Sequence, residues 1–499
     1  MWLAVVSWRP FSLGFYHDDW AILRKFPTSQ IPKTLEELAS RPLYGFLLVF
    51  FRTLLPFDPV FWHILLGILV AASALAIGLF SKQLAKYITD DQATAEWSGA
   101  IASATWIATP WDLGVTAWPT TFNMQISVIG FCLVGYVTIN NESLKSKFAK
   151  ALPVFLVSSL ISELFWLSFI PLILISMMVE HKSQSKHRKW REAMLLFVGF
   201  CVVQLFLVGL NRGLAYAGIG ISKTFNTIWL NSTFLSLRLL PAEFDRSVVW
   251  PLASWITLCT MFVTLILCAA FHPKRKLIGG ALLAIASGGL LSLVLFAVAG
   301  YRVEAIGTSS RTTAAISVWL SLIPALTLAV SEHFGRAIQR FALAAVLLVV
   351  LIFSASSIHN LQAWIKSWKF EKQLLRDFPA AEIAQSATRN SFVLVDAEHP
   401  SGYAEGFEAF WDIGGALYAS YPIVRQAFAP DGFHDFATMA NISRMRTSWD
   451  GSRLVQSWCS SPQSTLWGFA AQGDLYLWKQ SGQELVRLTA PVDLGCEHK

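Results

Sequence analysis

The sequence predicts a polytopic α-helical membrane protein of about eleven transmembrane helices, followed by a small extracytoplasmic α/β domain. Three observations lead there. The 499-residue chain is 54% hydrophobic, only 14% charged and has a mean hydropathy of +0.50, whereas soluble domains carry about 25% charged residues. Stretches such as "PVFWHILLGILVAASALAIGLF" (59–80) and "LIGGALLAIASGGLLSLVLFAVAG" (277–300) contain no charged residue, and each exceeds the roughly 20 residues that cross a bilayer. After residue 358 the chain turns polar and holds most of its remaining charge. The 21 tryptophans fit aromatic belts at the two membrane interfaces.

Taken in order, apolar runs fall at 1–14, 59–80, 97–111, 121–139, 149–162, 164–179, 193–210, 248–271, 277–300, 312–330 and 341–358. The first is short: only "MWLAVVSW" precedes Arg9. The expectation is that the true start lies upstream or that this helix is truncated, since a secretory signal would show a basic start and a cleavage site. The external loop is 15–43. Residues 43–57, "LYGFLLVFFRTLLPF", read as an interfacial helix lying along the outer surface, because Arg52 interrupts them and "PFDP" closes them. Four loops are rich in Lys and Arg: "NNESLKSKFAK" (140–150), "EHKSQSKHRKWRE" (180–192), "FHPKRK" (271–276) and "EHFGRAIQR" (332–340). The positive-inside rule assigns all four to the cytoplasm. They share one side only if 149–179 makes two short passes, with Glu163 at the outer turn. Counting outward then places loop 15–43 and everything after 358 on the external face.

The transmembrane module is thus 1–358 and the outer α/β domain 359–499. Within the latter, "NSFVLVDAEHP" (390–400), "GDLYLWKQ" and "QELVRLTA" read as strands, and "WKFEKQLLRDFPAAEIAQSA" as a helix. Cys459 and Cys496 lie there and are candidates for a disulfide in an oxidising compartment. The other cysteines, Cys132, Cys201, Cys259 and Cys268, sit in apolar runs as small core residues. No Cys/His cluster points to a metal. The net charge of +7 comes from short basic loops rather than a basic domain, which excludes nucleic acid as a partner.

Chemistry concentrates in "FYHDDWAILRKF" (15–26), where Asp18 and Asp19 follow His17 and precede Trp20. A solvated polar loop is the plain alternative. The order of features says more: an apolar start, an early "DDW", about twenty residues, "RPL" from Arg41, a surface helix, then a long span. This order resembles membrane glycosyltransferases of the GT-C fold that use polyprenyl-phosphate sugars, among them protein O-mannosyltransferases and lipid A aminoarabinose transferases. "ATPWDLGVTAWPTTFNMQ" (108–125) resembles that family's "HP…W" external turn, with Thr109 where the family has His. "SSLISELFWLSFIPL" (158–172) resembles the segment where an acidic residue precedes an apolar pass, and "GTSSRTTAAISVWL" (307–320) a late external loop with an arginine before a helix. The resemblance covers roughly 1–358.

The resemblance implies a GT-C-like catalytic module in the cell envelope, a multi-pass protein of the bacterial inner membrane. The donor would be a polyprenyl-phosphate sugar and the acceptor a hydroxyl on a glycan, lipid or protein. Asp18 would be the general base and Asp19 its orienting or substrate-binding partner, with the two able to exchange roles. Arg311 first, then Arg302 and Arg41, would meet the donor phosphate, which a guanidinium fork suits, against the alternatives of an interfacial anchor for Arg311 and Arg302 and a pair with an aspartate for Arg41. Glu163 would line a cavity, against the alternative of a solvated turn. His17, Asp112 and Trp118 would contact substrate, whereas His63 reads as a satisfied interfacial residue. No cofactor is implied, because a lipid phosphate leaves as a stable anion; a divalent cation beside the paired carboxylates is the one addition the family allows. The competing class is a polytopic transporter or lipid-linked-glycan flippase, which would more often show inverted halves with broken helices near the midplane.

Overall fold

The computed structural model describes residues 11–16, 19–23, 38, 41–140, 143–162, 164–165, 167–178, 186–216, 249–298, 308–386, 391–397, 407, 410–424, 436–440, 445–459, 461–470 and 474–494. Its first half contains α1 (Asp19–Ile22), α2 (Pro42–Leu54), α3 (Pro59–Ile88), α4 (Gln92–Ala108), α5 (Leu113–Thr116) and α6 (Phe122–Ile139). Then come α7 (Leu144–Ile161), α8 (Phe169–Met178), α9 (Lys186–Tyr216), α10 (Val249–Ala270), α11 (Arg275–Val298) and α12 (Ala314–Ser331). The long α13 (Arg336–Asp377) leads into α14 (Ala380–Ser386) and α15 (Phe410–Ser420). Six of the described helices are long and apolar enough to cross a membrane, and α2 and α8 are shorter apolar helices. The protein is accordingly membrane-embedded and mostly helical.

Local sequence fixes the helix starts. Asp58 accepts the Val60 N–H at 2.8 Å, and Pro59, which lacks an N–H, opens α3. Asp91 caps α4 through Ala93 N and Thr94 N at 3.2 and 3.0 Å, and Ser143 caps α7 through Ser146 N. Gly335 precedes α13 at φ 98°, a left-handed conformation that costs glycine little. Over 149–179, where two short passes were expected, the chain forms two helices, α7 and the ten-residue apolar α8.

One set of contacts gathers the basic loops at a single end of the bundle. Tyr87 donates to the Ile139 carbonyl at 2.8 Å and Ser176 to that of Thr138 at 3.0 Å. Lys274 pairs with Asp90 at 3.1 Å, the His272 and His333 rings are 4.7 Å apart, and Thr89 donates to Glu332. The C-terminal ends of α3, α6, α8, α10 and α12 therefore share one end. By helix direction, the loop before α3, the α4–α6 connection and the end of α13 lie at the other.

A change of composition at 358 is not a break in the backbone. The 42 residues of α13 continue to Asp377; at 1.5 Å per residue that is roughly 63 Å, about twice the hydrocarbon thickness of a bilayer. The polar residues entering after 358 leave one apolar face intact, with Leu361 and Trp364 packed against Leu13, Tyr16, Leu113 and Trp118. What changes at 358 is the partner of that face, from membrane helices to loops.

The extension of α13 carries a domain of two four-stranded sheets. One has the order β2 (Ala437–Met439), β1 (Phe392–Asp396), β6 (Leu475–Lys479), β7 (Glu484–Leu488), with β1 parallel to both neighbours and β6–β7 antiparallel. Strand β1 is apolar and buried along most of its length, as suits an interior parallel strand. The other sheet is antiparallel, ordered β5 (Ser461–Ala470), β4 (Arg453–Trp458), β3 (Met445–Trp449), β8 (Val492–Leu494). The three strands expected from sequence all lie in the first sheet. Cys459 is disulfide-bonded, while Cys132, Cys201, Cys259 and Cys268 are free; the expected partner, Cys496, lies outside the described residues.

Candidate active site at the loop end of the bundle

The site grows from the turn that ends in Asp19. Its carboxylate is fully buried. Oδ2 accepts the Tyr16 N–H at 2.9 Å, closing the turn, and Oδ1 accepts the Thr120 N–H at 3.0 Å. Charge-assisted bonds to backbone donors are what make such burial tolerable. Asp19 thereby ties the first loop to the α4–α6 connection. Tyr44 of α2 donates to the Thr120 carbonyl at 3.0 Å, so a third segment meets at the same residue. Arg41, half-buried, stands at the start of α2 one turn before Tyr44.

The α4–α6 connection is held from several sides. Trp111 stacks on Trp255 of α10 at 4.4 Å and lies edge-on to Phe353 of α13. Its carbonyl accepts the Thr313 hydroxyl, and the Pro110 carbonyl accepts Asn360 Nδ2 at 3.0 Å. Gln125 donates to the Val115 carbonyl at 2.8 Å and accepts from Ser73 at 2.8 Å. Trp118, two residues before Thr120, carries the Arg311 guanidinium 4.8 Å from its ring centroid. The negative face of the indole attracts the guanidinium cation and so helps to place it. Asp112 is fully buried at the start of α5 in the same connection.

The first loop also locks onto the extension of α13. The Tyr16 hydroxyl donates to the Trp364 carbonyl at 2.9 Å and accepts the Gly14 N–H at 3.1 Å. Burial pushes the Tyr16 phenol well above its ordinary value; the bond from Gly14 opposes this, and the Glu371 and Asp19 carboxylates reinforce it. The phenol thus remains a neutral donor. His63 of α3 meets the Gly14 carbonyl through Nε2 at 2.8 Å, the satisfied role expected of it.

The structure brings Asp19, Asp112, Trp118, Arg41 and Arg311 to one end of the bundle, with Asp19, Trp118 and Arg311 joined through Thr120. Asp18, His17, Glu163 and Arg302 lie outside the described residues. The sequence reading missed the partners on the α13 extension, above all Glu371, which accepts the Trp20 indole N–H at 2.9 Å. In "SWKFEKQ" it looks like any solvated helix residue, and no local signal distinguishes it. Among the described residues no group of three or more His, Cys, Asp or Glu is arranged to hold a metal ion.

No family model matches this chain, and no curated protein does. Among solved structures, that of ArnT from Cupriavidus metallidurans in the apo state matches at 14% identity over 85% of this chain and 84% of that one, with a TM-score of 0.42. A likeness of that size assigns neither a fold family nor an activity.

Proposed function

We propose that the protein is a membrane glycosyltransferase of the bacterial inner membrane. It transfers a sugar from a polyprenyl-phosphate donor to a hydroxyl of a glycan, lipid or protein on the outer face, with its C-terminal domain extracytoplasmic. One observation carries the reading: the acidic first loop is tied by Asp19 to the connection whose Trp118 holds Arg311, at the end of the bundle away from the basic loops. Asp19 and the Arg311 guanidinium thus lie on neighbouring segments, which supports a carboxylate and a phosphate-binding cation serving one site.

Roles divide between the two aspartates. Asp19 has both oxygens on backbone N–H groups and orients the turn. Asp18 is the general base, taking the acceptor hydroxyl proton as the oxygen attacks the anomeric carbon. The bond from that carbon to the phosphate oxygen breaks, a single displacement with inversion. The polyprenyl phosphate departs as an anion towards Arg311, with Arg302 and Arg41 as further cations. His17, Glu163, Asp112 and Trp118 form the substrate walls. No step of this reading is routed through a metal, since the lipid phosphate leaves as a stable anion.

Asp18→Asn tests the reading in purified full-length protein reconstituted in nanodiscs with a polyprenyl-phosphate sugar. Turnover is expected to fall by about 10³-fold while donor binding and melting temperature hold, the scale of a lost general base. Unchanged turnover overturns the assignment. Substrate crossing vesicles without new glycosidic bonds identifies a transporter instead. Mass spectrometry of envelope glycans with and without the gene names the sugar and the acceptor.

A further inference from the structure

The Trp20 indole lies among Phe15, Phe57, Trp368 and Phe407, with ring centroids between 5.3 and 6.4 Å from its own. These rings come from the first loop, the α2–α3 turn, the α13 extension and the C-terminal domain. The polar edge of Trp20 has one partner, Glu371, whose Oε2 accepts it at 2.9 Å. Glu371 is fully buried, and its Oε1 has no hydrogen-bond partner among the described residues. Asp19 and Asp412 lie within electrostatic reach of it, and both are fully buried. Helix α15, which carries Asp412, packs directly on α1. A carboxyl group in such a place is destabilising for folding alone; an apolar residue would fill the space at less cost. Its one directional contact runs to the residue beside the acidic pair.

We propose that Glu371 is a positioning residue for the acidic turn: it holds Trp20, and so the Asp18–Asp19 backbone, from the extension of the last long helix, with α15 closing over it. This rests on the glycosyltransferase reading for its kinetic consequence but not for its geometry. The C-terminal domain is then part of the active site rather than an appendage, because its helix buries the contact that fixes the base.

The test compares Glu371→Ala, Glu371→Gln and Trp20→Phe in full-length protein with Cys132, Cys201, Cys259 and Cys268 replaced by alanine. A single probe cysteine at Ile22 reads the turn, and one at Ala85, buried at the far end of the bundle, reads global unfolding. Glutamine keeps an acceptor for the indole and adds an amide donor facing the neighbouring carboxylates; alanine keeps neither. Glu371→Ala is expected to speed maleimide labelling at position 22 by about tenfold or more, an opening worth only about 1.4 kcal/mol, with position 85 still protected. In the transfer assay kcat falls by about 100-fold at constant acceptor KM, the scale of a misplacement of about 1 Å. Glu371→Gln recovers most of the protection and at least about tenfold of the lost kcat. Equal labelling at position 22 in wild type, alanine and glutamine variants overturns the proposal. If Glu371→Ala also exposes position 85, the fold has failed and Trp20→Phe decides: no faster labelling at 22 in that variant overturns the proposal too. If wild type transfers no sugar while the labelling pattern holds, the enzyme reading fails and the positioning contact stands.

Discussion

At one end of the bundle Asp19, Asp112, Glu371 and Asp412 are all fully buried. At the other, Asp90 is 94% exposed in its pair with Lys274, and Glu96 is 55% exposed in its pair with Lys82. The same residue type is thus used in opposite ways. An exposed pair gains little, because water and salt already screen it. A buried carboxylate is costly until backbone donors, an indole or a neighbouring polar group meet it. The buried end supplies such groups from segments far apart in sequence: Tyr16, Thr120 and Trp20 converge on Asp19 and Glu371. Where a protein accepts that cost several times in one place, geometry is being specified. The exposed end needs only correct sidedness, which charge alone provides.

The largest expected effect breaks the comparison at its centre. Asp19→Asn leaves one acceptor oxygen for two backbone donors and turns an amide N–H₂ towards an N–H. The loss is about 3 kcal/mol, from one charge-assisted bond removed and one buried donor stranded. It should appear as a lower melting temperature and as new protease sensitivity confined to the loops at this end of the bundle. A variant that melts like wild type would mean that the buried end is no more specified than the exposed one.

Next in size is Gly14→Ala. A β-carbon there would sit 1.9 Å from Trp368 Cδ2, so the indole or the loop must move. About 2 kcal/mol is expected for such overpacking, together with loss of the His63 contact to the Gly14 carbonyl. Trp368→Leu in the same chain should restore part of it, because the two residues touch and their effects do not add. Failure of the double variant to recover would place the strain elsewhere than in this close approach.

The two ends also differ in how far the sequence discloses them. That the basic stretches gather at one end of the bundle was legible, because Lys and Arg density in stretches such as 271–276 and 332–340 is a local property, as are the charge-free runs between them. Strand β1 was legible from "FVLVD", and β6 and β7 from their alternation and turns. The second sheet was not, since β3 and β8 pair Thr447 with Leu494 across a long separation. The acidic pair announced itself by type and place, but not the backbone donors that hold Asp19. One of them, the Thr120 N–H, lies 101 positions away. Glu371 is the extreme case: its meaning lies wholly in Trp20, 351 positions earlier. A helix that runs on past 358 hid it, because polar residues after an apolar run read as the end of a span.

A small effect sharpens the exposed side. Lys274→Ala removes the pair with Asp90, and the expected change is within about 0.5 kcal/mol and smaller still at high salt. It is read as a melting temperature in low and high salt beside that of Asp19→Asn. A cost comparable to that of Asp19→Asn would erase the distinction between the ends.

The smallest effect asks whether any carboxylate at the exposed end does local structural work. Asp91 is held below the ordinary carboxylate range by the Thr94 hydroxyl first, then by the Thr94 and Ala93 N–H groups. A depressed folded-state value means that the contribution is present above the unfolded value and lost as pH falls through the folded one. Asp91→Asn should therefore fray the first turn of α4 at neutral pH, seen as faster hydrogen exchange in peptides covering 90–100. The gap from wild type should close as the pH is taken below the ordinary aspartate range, with each pair compared at the same pH. If the gap persists in acid, the cap acts through shape rather than charge, and the exposed end uses its carboxylates no more electrostatically than it would use serines.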